Sequence, residues 1–426
     1  MLAIHLFRQN KELILEGLKK RNFKDLELVD KIIQLDEARR EAQLAYDNHK
    51  AKINAASKEI GKLKGKDALL MGMDATTLMQ EIEVAKVAVK QAQDRLEDLE
   101  KELHEHIVLL PNIPHSSVPF GRTPEDNEVV RMSGNTPDLS AQKLPHWELT
   151  TKYGLIDFEL GTKITGSGFP VYIGAGAKLQ RALISYFLDY NTNAGYKEYY
   201  PPYMVNAETA YGTGQLPDKE GQMYYMPEDK FYMIPTAEVP VTNIYRDTIV
   251  AENDLPVKMT AYTPCFRREA GSYGKDVRGL NRVHQFDKVE IVQLSHPENS
   301  YHALEGMVLH VEQLLQSLGL QYRILRLCGG DMGFTSALTY DFEVYSAAQE
   351  RWLEVSSVSN FETFQTNRMK IRYKDTNGKT QLLHSLNGSS LALPRILACI
   401  LENNQTPEGV HIPKVLQDYF GKAIIN

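Results

Sequence analysis

The chain has 426 residues, 42% hydrophobic and 24% charged, which is enough for two or more domains around a sizeable core and excludes disorder on a large scale. A formal net charge of -7 excludes a uniformly basic nucleic-acid binder, so any contact with phosphate must come from a local patch. Cys265, Cys328 and Cys399 lie far apart with no C-x-x-C spacing, which excludes a disulfide framework and a clustered zinc site, while early charges in MLAIHLFRQNKELILEG and the lack of an apolar run near the roughly 18 residues of a membrane span predict a cytoplasmic protein with no membrane contact.

Residues 1–110 carry two heptad series. Steps of four and three from Leu28 reach Ile32, Leu35, Arg39, Ala42, Tyr46, His49, Ile53, Ala56, Ile60 and Leu63. A second series runs Leu78, Ile82, Ala85, Val89, Ala92, Leu96, Leu99, Leu103, His106 and Leu110, after the short link LKGKDALLMGMDATT. Two such helices must be antiparallel neighbours, each about 50 Å long at 1.5 Å per residue. The end near the link carries Lys50, Lys52, Lys58, Lys62, Lys64 and Lys66, with Lys86 and Lys90 opposite; the far end is acidic, with Asp36, Glu37 and Glu41 facing Asp94, Glu97 and Asp98. This pattern suits a projecting reader of backbone phosphates, and equally a dimerising coiled coil with solvated lysines.

Residues 111–165, opening with PNIPHSSVPFGRTPEDNEVV, read as a linker, with turns at Gly154 and Gly161; the main domain is expected over 166–426. From Gly176 to Asn191, the spacing of Leu179, Ala182, Leu183, Tyr186, Phe187 and Tyr190 predicts an amphipathic helix ended by Gly195. YKEYYPPYMV follows, a strand that Pro201 and Pro202 confine to a sheet edge or terminus.

Chemistry-bearing residues begin at Thr236, Ala237 and Glu238. A hydroxyl and a carboxylate two residues apart on an extended segment share one side and can hold an ammonium group. In PCFRREAGSYGKDVRGLNRVHQFDKVE, two alternating runs flank a loop with Gly271, Gly274 and Gly279. A hairpin there brings Arg267, Glu269, Arg282, Phe286 and Glu290 toward one surface, either solvated or suited to ATP. A guanidinium fork binds phosphate, an aromatic ring lies on a purine, and a carboxylate accepts from its exocyclic amine. Glu290 stands in the apolar run VEIVQL and needs either a basic neighbour or a ligand. Glu354 and Ser357 carry oxygens suited to Mg²⁺, and the alternating run Trp352 to Val355 reads equally as an ordinary strand. Gly388 allows close approach of backbone to ligand, and Arg395 opens an apolar helix, Ile396 to Leu401, from which it reaches phosphate.

The order of these elements resembles the class II aminoacyl-tRNA synthetases: a helix with a Pro-containing strand, F-R-x-E with a loop and R-x-x-x-F, and a C-terminal G-x-x-x-x-x-x-R. The wording FRREAGS and RGLNRVHQFDKVE is similar to the seryl-tRNA synthetase branch, over nearly the whole chain. The resemblance implies an α+β fold, an antiparallel β-sheet with flanking helices, plus an N-terminal antiparallel two-helix coiled-coil arm that grips tRNA(Ser), with tRNA(Sec) as a further substrate. It implies a homodimer through the helix and Pro-containing strand. It assigns ATP to Arg267, Arg268, Glu269, Arg282, Phe286, Glu354, Val355, Ser356, Ser357 and Arg395, with Arg267 and Arg395 catalytic and Mg²⁺ on Glu354 and Ser357. L-serine falls to Thr236, Ala237, Glu238, Glu290 and Ser389. The family has Arg where Gly168 stands and Gly where Ser390 stands.

Overall fold

The computed structural model describes residues 1–63, 72–218, 220–269 and 278–426, and of 61–63 and 72–78 the backbone alone. Two compact units emerge, residues 2–19 with 23–111, and 20–22 with 112–426 together with Met1.

In the smaller unit, helices α1 (Glu27–Leu63) and α2 (Gly72–Ile107) run antiparallel, as the ion pair of Lys31 with Glu102 at 2.9 Å requires. The expected heptads form the seam. Leu28, Ile32 and Leu35 bury with Leu99 and Leu103 at the base, while Ile53, Ile60, Ile82 and Val89 are only half-covered, because two helices alone cannot enclose a core. Asp36, one of the acidic residues expected at this end, is buried. Its carboxylate takes Arg39 at 3.0 Å, Arg40 at 3.3 Å and Arg8 at 3.4 Å, and so ties the short helix Ile4–Gln9 to α1.

The larger unit is built on eight strands: β1 (Glu128–Ser133), β2 (Lys197–Glu198), β3 (Val257–Phe266), β4 (Gln285–Ser295), β5 (Tyr322–Arg326), β6 (Leu338–Ser346), β7 (Arg351–Glu362) and β8 (His384–Ala392). Their order is β1-β5-β6-β7-β8-β4-β3-β2, antiparallel throughout except where β2 joins β3. β2 is the edge strand that the following prolines require. The 111–165 stretch expected to be a linker contributes the opposite edge, β1, and two short helices, His146–Lys152 and Phe158–Ile164. Gly161 accordingly lies inside a helix, where a Cβ would meet the Phe169 carbonyl oxygen at 1.6 Å; a close crossing requires this glycine, not a turn.

One sheet face is mostly apolar. Val289 and Ile291 of β4 and Phe342 and Val344 of β6 pack under helices α3 (Ala175–Asn193), α5 (Ser300–Ser317) and α6 (Leu393–Asn403). The α3 helix stops as expected at Gly195, left-handed at φ 85°. The opposite face is divided. Val292 and Leu294, with Met259 and Ala261, are covered by helix α4 (Glu238–Asn243), whereas Phe286, Lys288 and Glu290 face a hollow. β4 is thus buried on both faces, which explains its near-continuous apolar reading.

Replacing Asp36 by Ala would leave three guanidinium groups without their counter-ion. Because those heads are a quarter to half exposed, we expect a loss of about 2 kcal/mol, below the usual figure for a buried pair. Hydrogen exchange should quicken at the 27–40 and 95–107 backbone; unchanged protection there contradicts the tie.

Candidate active site

The β3–β4 pairing sets Cys265 opposite Phe286, Thr263 opposite Lys288 and Ala261 opposite Glu290, so the even-numbered residues of β4 form one row. Arg267 lies just beyond β3, its amide donating to the His284 carbonyl at 2.9 Å. Its Nε donates to the Pro235 carbonyl at 3.3 Å, and the guanidinium rests 5.2 Å from the centre of the Phe286 ring. Glu269 adopts φ 50° and turns its carboxylate onto Arg282, 3.0 Å away. Arg268, between them, departs from the expected set: it is exposed, with its guanidinium over Tyr224 at 5.9 Å. Gly271 and Gly274 of the expected loop lie outside the described residues.

Two β-bulges complete the wall. In β7, Glu354 pairs with Glu343 and Ser356 with Phe342, so Val355 is an extra residue; the slip brings Glu354 and Ser357, three apart, into one hollow. In β8, Ser389 pairs with Glu290 but Ala392 with Lys288, which likewise brings Ser389 and Ala392 to the same side. Gly388 does not face a ligand space. A Cβ there would meet the Val358 side chain at 3.0 Å, so the glycine serves strand packing.

Arg395 projects from the first turn of α6. Its Nη1 donates to the Glu354 carbonyl at 2.7 Å and its Nε to the Asn281 carbonyl at 3.1 Å. It meets Arg267 in two adjoining hollows of about 210 and 440 Å³, which share Arg267, Glu269, Arg282, Lys288, Ser357, Ser389 and Arg395. Val355 and Ser356 line the first, and Thr236, Glu238 and Glu290 the second.

Glu290 is only 1% exposed and has the basic neighbour that was one of the two partners expected for it. Lys288, two residues back on the same face, pairs with Oε2 at 2.7 Å; Thr236 donates to the same oxygen at 3.3 Å and Ser389 at 3.5 Å. Oε1 receives Asn387 at 3.3 Å. Beside it lies the larger hollow. Thr236 to Glu238 is not extended, as the two-residue spacing suggested, but is the turn into α4, with the Thr236 hydroxyl accepting from the Glu238 amide at 3.3 Å. Pro240 in the first turn of α4 fits this turn, since an N–H is dispensable there. Ala237 packs into the core beneath. Burial, with the charge of Glu290 adding, pushes the Glu238 carboxyl up to about 7 although Gln365 donates to it at 2.5 Å.

A mooring not evident in the sequence holds the Arg282 turn. His146, wholly buried, accepts the Leu280 amide on Nε2 at 2.8 Å; its Nδ1 therefore carries the proton and donates to Glu402 of α6 at 2.7 Å. Gly279, left-handed at φ 62°, must be glycine because a Cβ would stand 2.2 Å from His146 Nε2. Glu402 also takes Gln349 at 2.9 Å, and Gln349 takes Asn281, the residue whose carbonyl seats Arg395.

No group of three His, Cys, Asp or Glu among the described residues is arranged for a metal. Mg²⁺ asks less of a protein: one or two hard oxygens, with phosphates and water completing the shell. The Glu354 carboxylate and Ser357 hydroxyl fit that demand. Next to them Asp341, opposite Ser357, has a buried Oδ1 without a hydrogen-bond partner. The lysines expected at the arm tip are exposed where described, namely Lys50, Lys52, Lys58, Lys86 and Lys90; Lys86 pairs with Glu83 at 2.7 Å. Lys64 and Lys66, and the Lys62 side chain, lie outside the described residues.

Residues 1–114 match the seryl-tRNA synthetase N-terminal domain, and residues 224–404 the tRNA synthetase class II core domain (G, H, P, S and T). The serine–tRNA ligase of Salinibacter ruber is 48% identical over 429 residues, covering 100% of this chain and 99% of that protein. The seryl-tRNA synthetase from Pyrococcus horikoshii, solved complexed with ATP, superposes with a TM-score of 0.90 at 32% identity, covering 100% of this chain and 99% of that one. The cytoplasmic serine–tRNA ligase from Naegleria fowleri, solved with AMP, gives 0.87 at 29% identity, with the same coverage.

The folded-state value of Glu238, about 7, exceeds the roughly 4.3 of a free glutamate, so its protonated form adds stability that is complete below the lower value and lost as pH rises through the upper. Between about pH 6 and pH 8 the ligand-free protein should therefore lose more melting temperature than the Glu238→Gln variant. Parallel curves for the two contradict the assignment.

Proposed function

The chain belongs to the seryl-tRNA synthetases, class II aminoacyl-tRNA ligases, and on that premise we propose that it joins L-serine to ATP as seryl-adenylate and passes the seryl group to tRNA(Ser). The observation that carries this reading is the convergence of Arg267 and Arg395 on two adjoining hollows, one bounded by Phe286 and the other by Glu290. Phe286 and Glu269 hold the adenine, Arg282 and Arg395 the distal phosphates, and Val355 and Ser356 the wall between them. Arg267 stands where the hollows meet. There a carboxylate oxygen of serine attacks the α-phosphorus, its bond to phosphorus forms as the bridging bond to the β-phosphate breaks, and pyrophosphate departs. The Arg267 guanidinium stabilises the charge that gathers on the equatorial oxygens. Glu354 and Ser357 would hold Mg²⁺, which when bound would neutralise phosphate charge. A ribose hydroxyl of the terminal adenosine then attacks the acyl carbon, and AMP leaves.

Serine recognition follows from the ladder. Glu238 takes the ammonium, which favours its ionised form, and Thr236 lies next to it. The serine hydroxyl donates to Glu290 Oε1, whose single contact at 3.3 Å leaves it capacity, while Oε2 is already occupied by Lys288. Ser389 flanks the same carboxylate. Alanine or glycine would leave that buried acceptor short of a donor, a penalty that reaches roughly 10⁴-fold where nothing else compensates; Lys288 makes the rejection here smaller.

The unit of residues 1–110 serves as the tRNA-binding domain, 166–426 as the catalytic domain, with 111–165 joining them in chain order. Exposed Lys50, Lys52, Lys58, Lys86 and Lys90 support binding of phosphates, Lys62, Lys64 and Lys66 add positive charge to the same stretch of sequence, and tRNA(Sec) has the same shape-based contacts open to it. Exposed Tyr200 and Met204 in the Pro-containing stretch, and Phe231 on the strand paired with it, support a homodimer. Three buried free thiols support a cytoplasmic enzyme.

The purified protein should exchange pyrophosphate into ATP only when serine is present, and Glu290→Gln should raise the serine KM by roughly 100-fold with the ATP KM little changed. Removing residues 30–105 should leave exchange and abolish tRNA charging. Exchange that ignores serine, or loss of exchange on removing the arm, contradicts the reading.

A further inference from the structure

Behind the serine pocket, on the helical side of the sheet, one amide gathers four elements. Asn191, fully buried near the end of α3, donates from Nδ2 to Thr260 Oγ1 of β3 at 3.0 Å. Its Oδ1 takes the Ser390 hydroxyl of β8 at 2.9 Å and faces His310 Nε2 of α5 at 2.8 Å. Thr260 Oγ1 in turn donates to the Glu290 carbonyl at 2.8 Å. The directions are forced. An amide oxygen only accepts, so Ser390 donates and His310 carries its proton on Nε2; an amide nitrogen only donates, so the Thr260 proton is left for Glu290. Burial, with Lys258 adding, holds the His310 imidazole down at about 4, which keeps that single-proton form at neutral pH.

The placement matters because β3 and β8 are the two neighbours of β4. Ser390 belongs to the extra pair of residues in the β8 bulge, where the ladder alone does not fix the backbone, and it directly follows Ser389. Asn191 therefore fastens the strand on each side of Glu290 and, through Thr260, the Glu290 backbone itself. None of the three side chains, Asn191, Thr260 or Ser390, lines either hollow.

Resting on the serine-pocket reading above, we infer that Asn191 is a positioning residue for serine selection, setting Glu290 and Ser389 in register through Thr260 and Ser390. The nucleotide hollow has a separate mooring in His146 and Glu402, so loss of the Asn191 links should act on serine and spare ATP. A displacement of a fraction of an ångström is enough, since misplacements near 1 Å cost up to about 100-fold.

The test is pyrophosphate exchange with the full-length enzyme carrying Asn191→Leu, Thr260→Val or Ser390→Ala, with Glu290→Gln as reference. Thr260→Val and Ser390→Ala each delete one hydroxyl without adding bulk, and they carry the test if Asn191→Leu does not fold. We expect the serine KM to rise about tenfold in Thr260→Val and several-fold in Ser390→Ala, the preference for serine over threonine to fall, and the ATP KM to stay within about twofold. The Asn191→Leu, Thr260→Val double variant should be little worse than either single one, as for residues in one network. An unchanged serine KM, or equal rises for serine and ATP, overturns the inference. If Glu290→Gln also leaves the serine KM unchanged, the pocket reading itself fails; if it alone raises that KM, only the role of Asn191 falls.

Discussion

A carboxylate sealed into the middle of an eight-stranded sheet is the constraint from which the site follows. Glu290 cannot keep its charge there without compensation, and Lys288 on the same strand face supplies it at 2.7 Å. That pair, buried in the sheet, needs polar company, so Thr236 converges on it from the turn before α4, and Asn387 and Ser389 from β8. The same face two residues earlier presents Phe286. One strand thus carries an aromatic platform, a cation and an anion in a row, and the hollow over that row has an apolar end and an ionic end.

Regular ladders would not have closed the hollow. Glu354 with Ser357, and Ser389 with Ala392, lie three apart in sequence, a spacing that puts partners on opposite faces of a flat strand. One bulge in each strand removes the conflict, and Arg395 then bridges the result by holding the Glu354 carbonyl on one side and the Asn281 carbonyl on the other. The supports are divided in the same way as the ligand space. His146 and Glu402 steady the turn bearing Arg282, whereas the amide on α3 steadies the strands beside Glu290.

Much of this was legible from periodicity. The heptads from Leu28 and Leu78 gave the antiparallel pair, and alternation around Arg267 and Phe286 gave the hairpin and most of its inward residues. Lys288 obeyed the same two-residue rule yet escaped notice, because a strand covered on both faces shows no polar side against which a lysine stands out. The bulges were not legible, since one extra residue leaves no mark on composition. Nor were contacts such as His146 with Glu402, whose partners are 256 residues apart. Thr236 to Glu238 reads as extended by its spacing although Pro240 is the sign of a helix start, and the burial of Asp36 is not marked in the heptads because Arg8 reaches it from another helix.

The most direct test is a crystal structure with a non-hydrolysable seryl-adenylate analogue bound. The account predicts the side-chain oxygen of the seryl group within hydrogen-bonding distance of Glu290 Oε1, its ammonium on Glu238, and the phosphate mimic against Arg267 with the purine on Phe286. An analogue seated elsewhere, or one whose phosphate mimic touches neither Arg267 nor Arg395 while the space beside Glu290 stays closed, would contradict it.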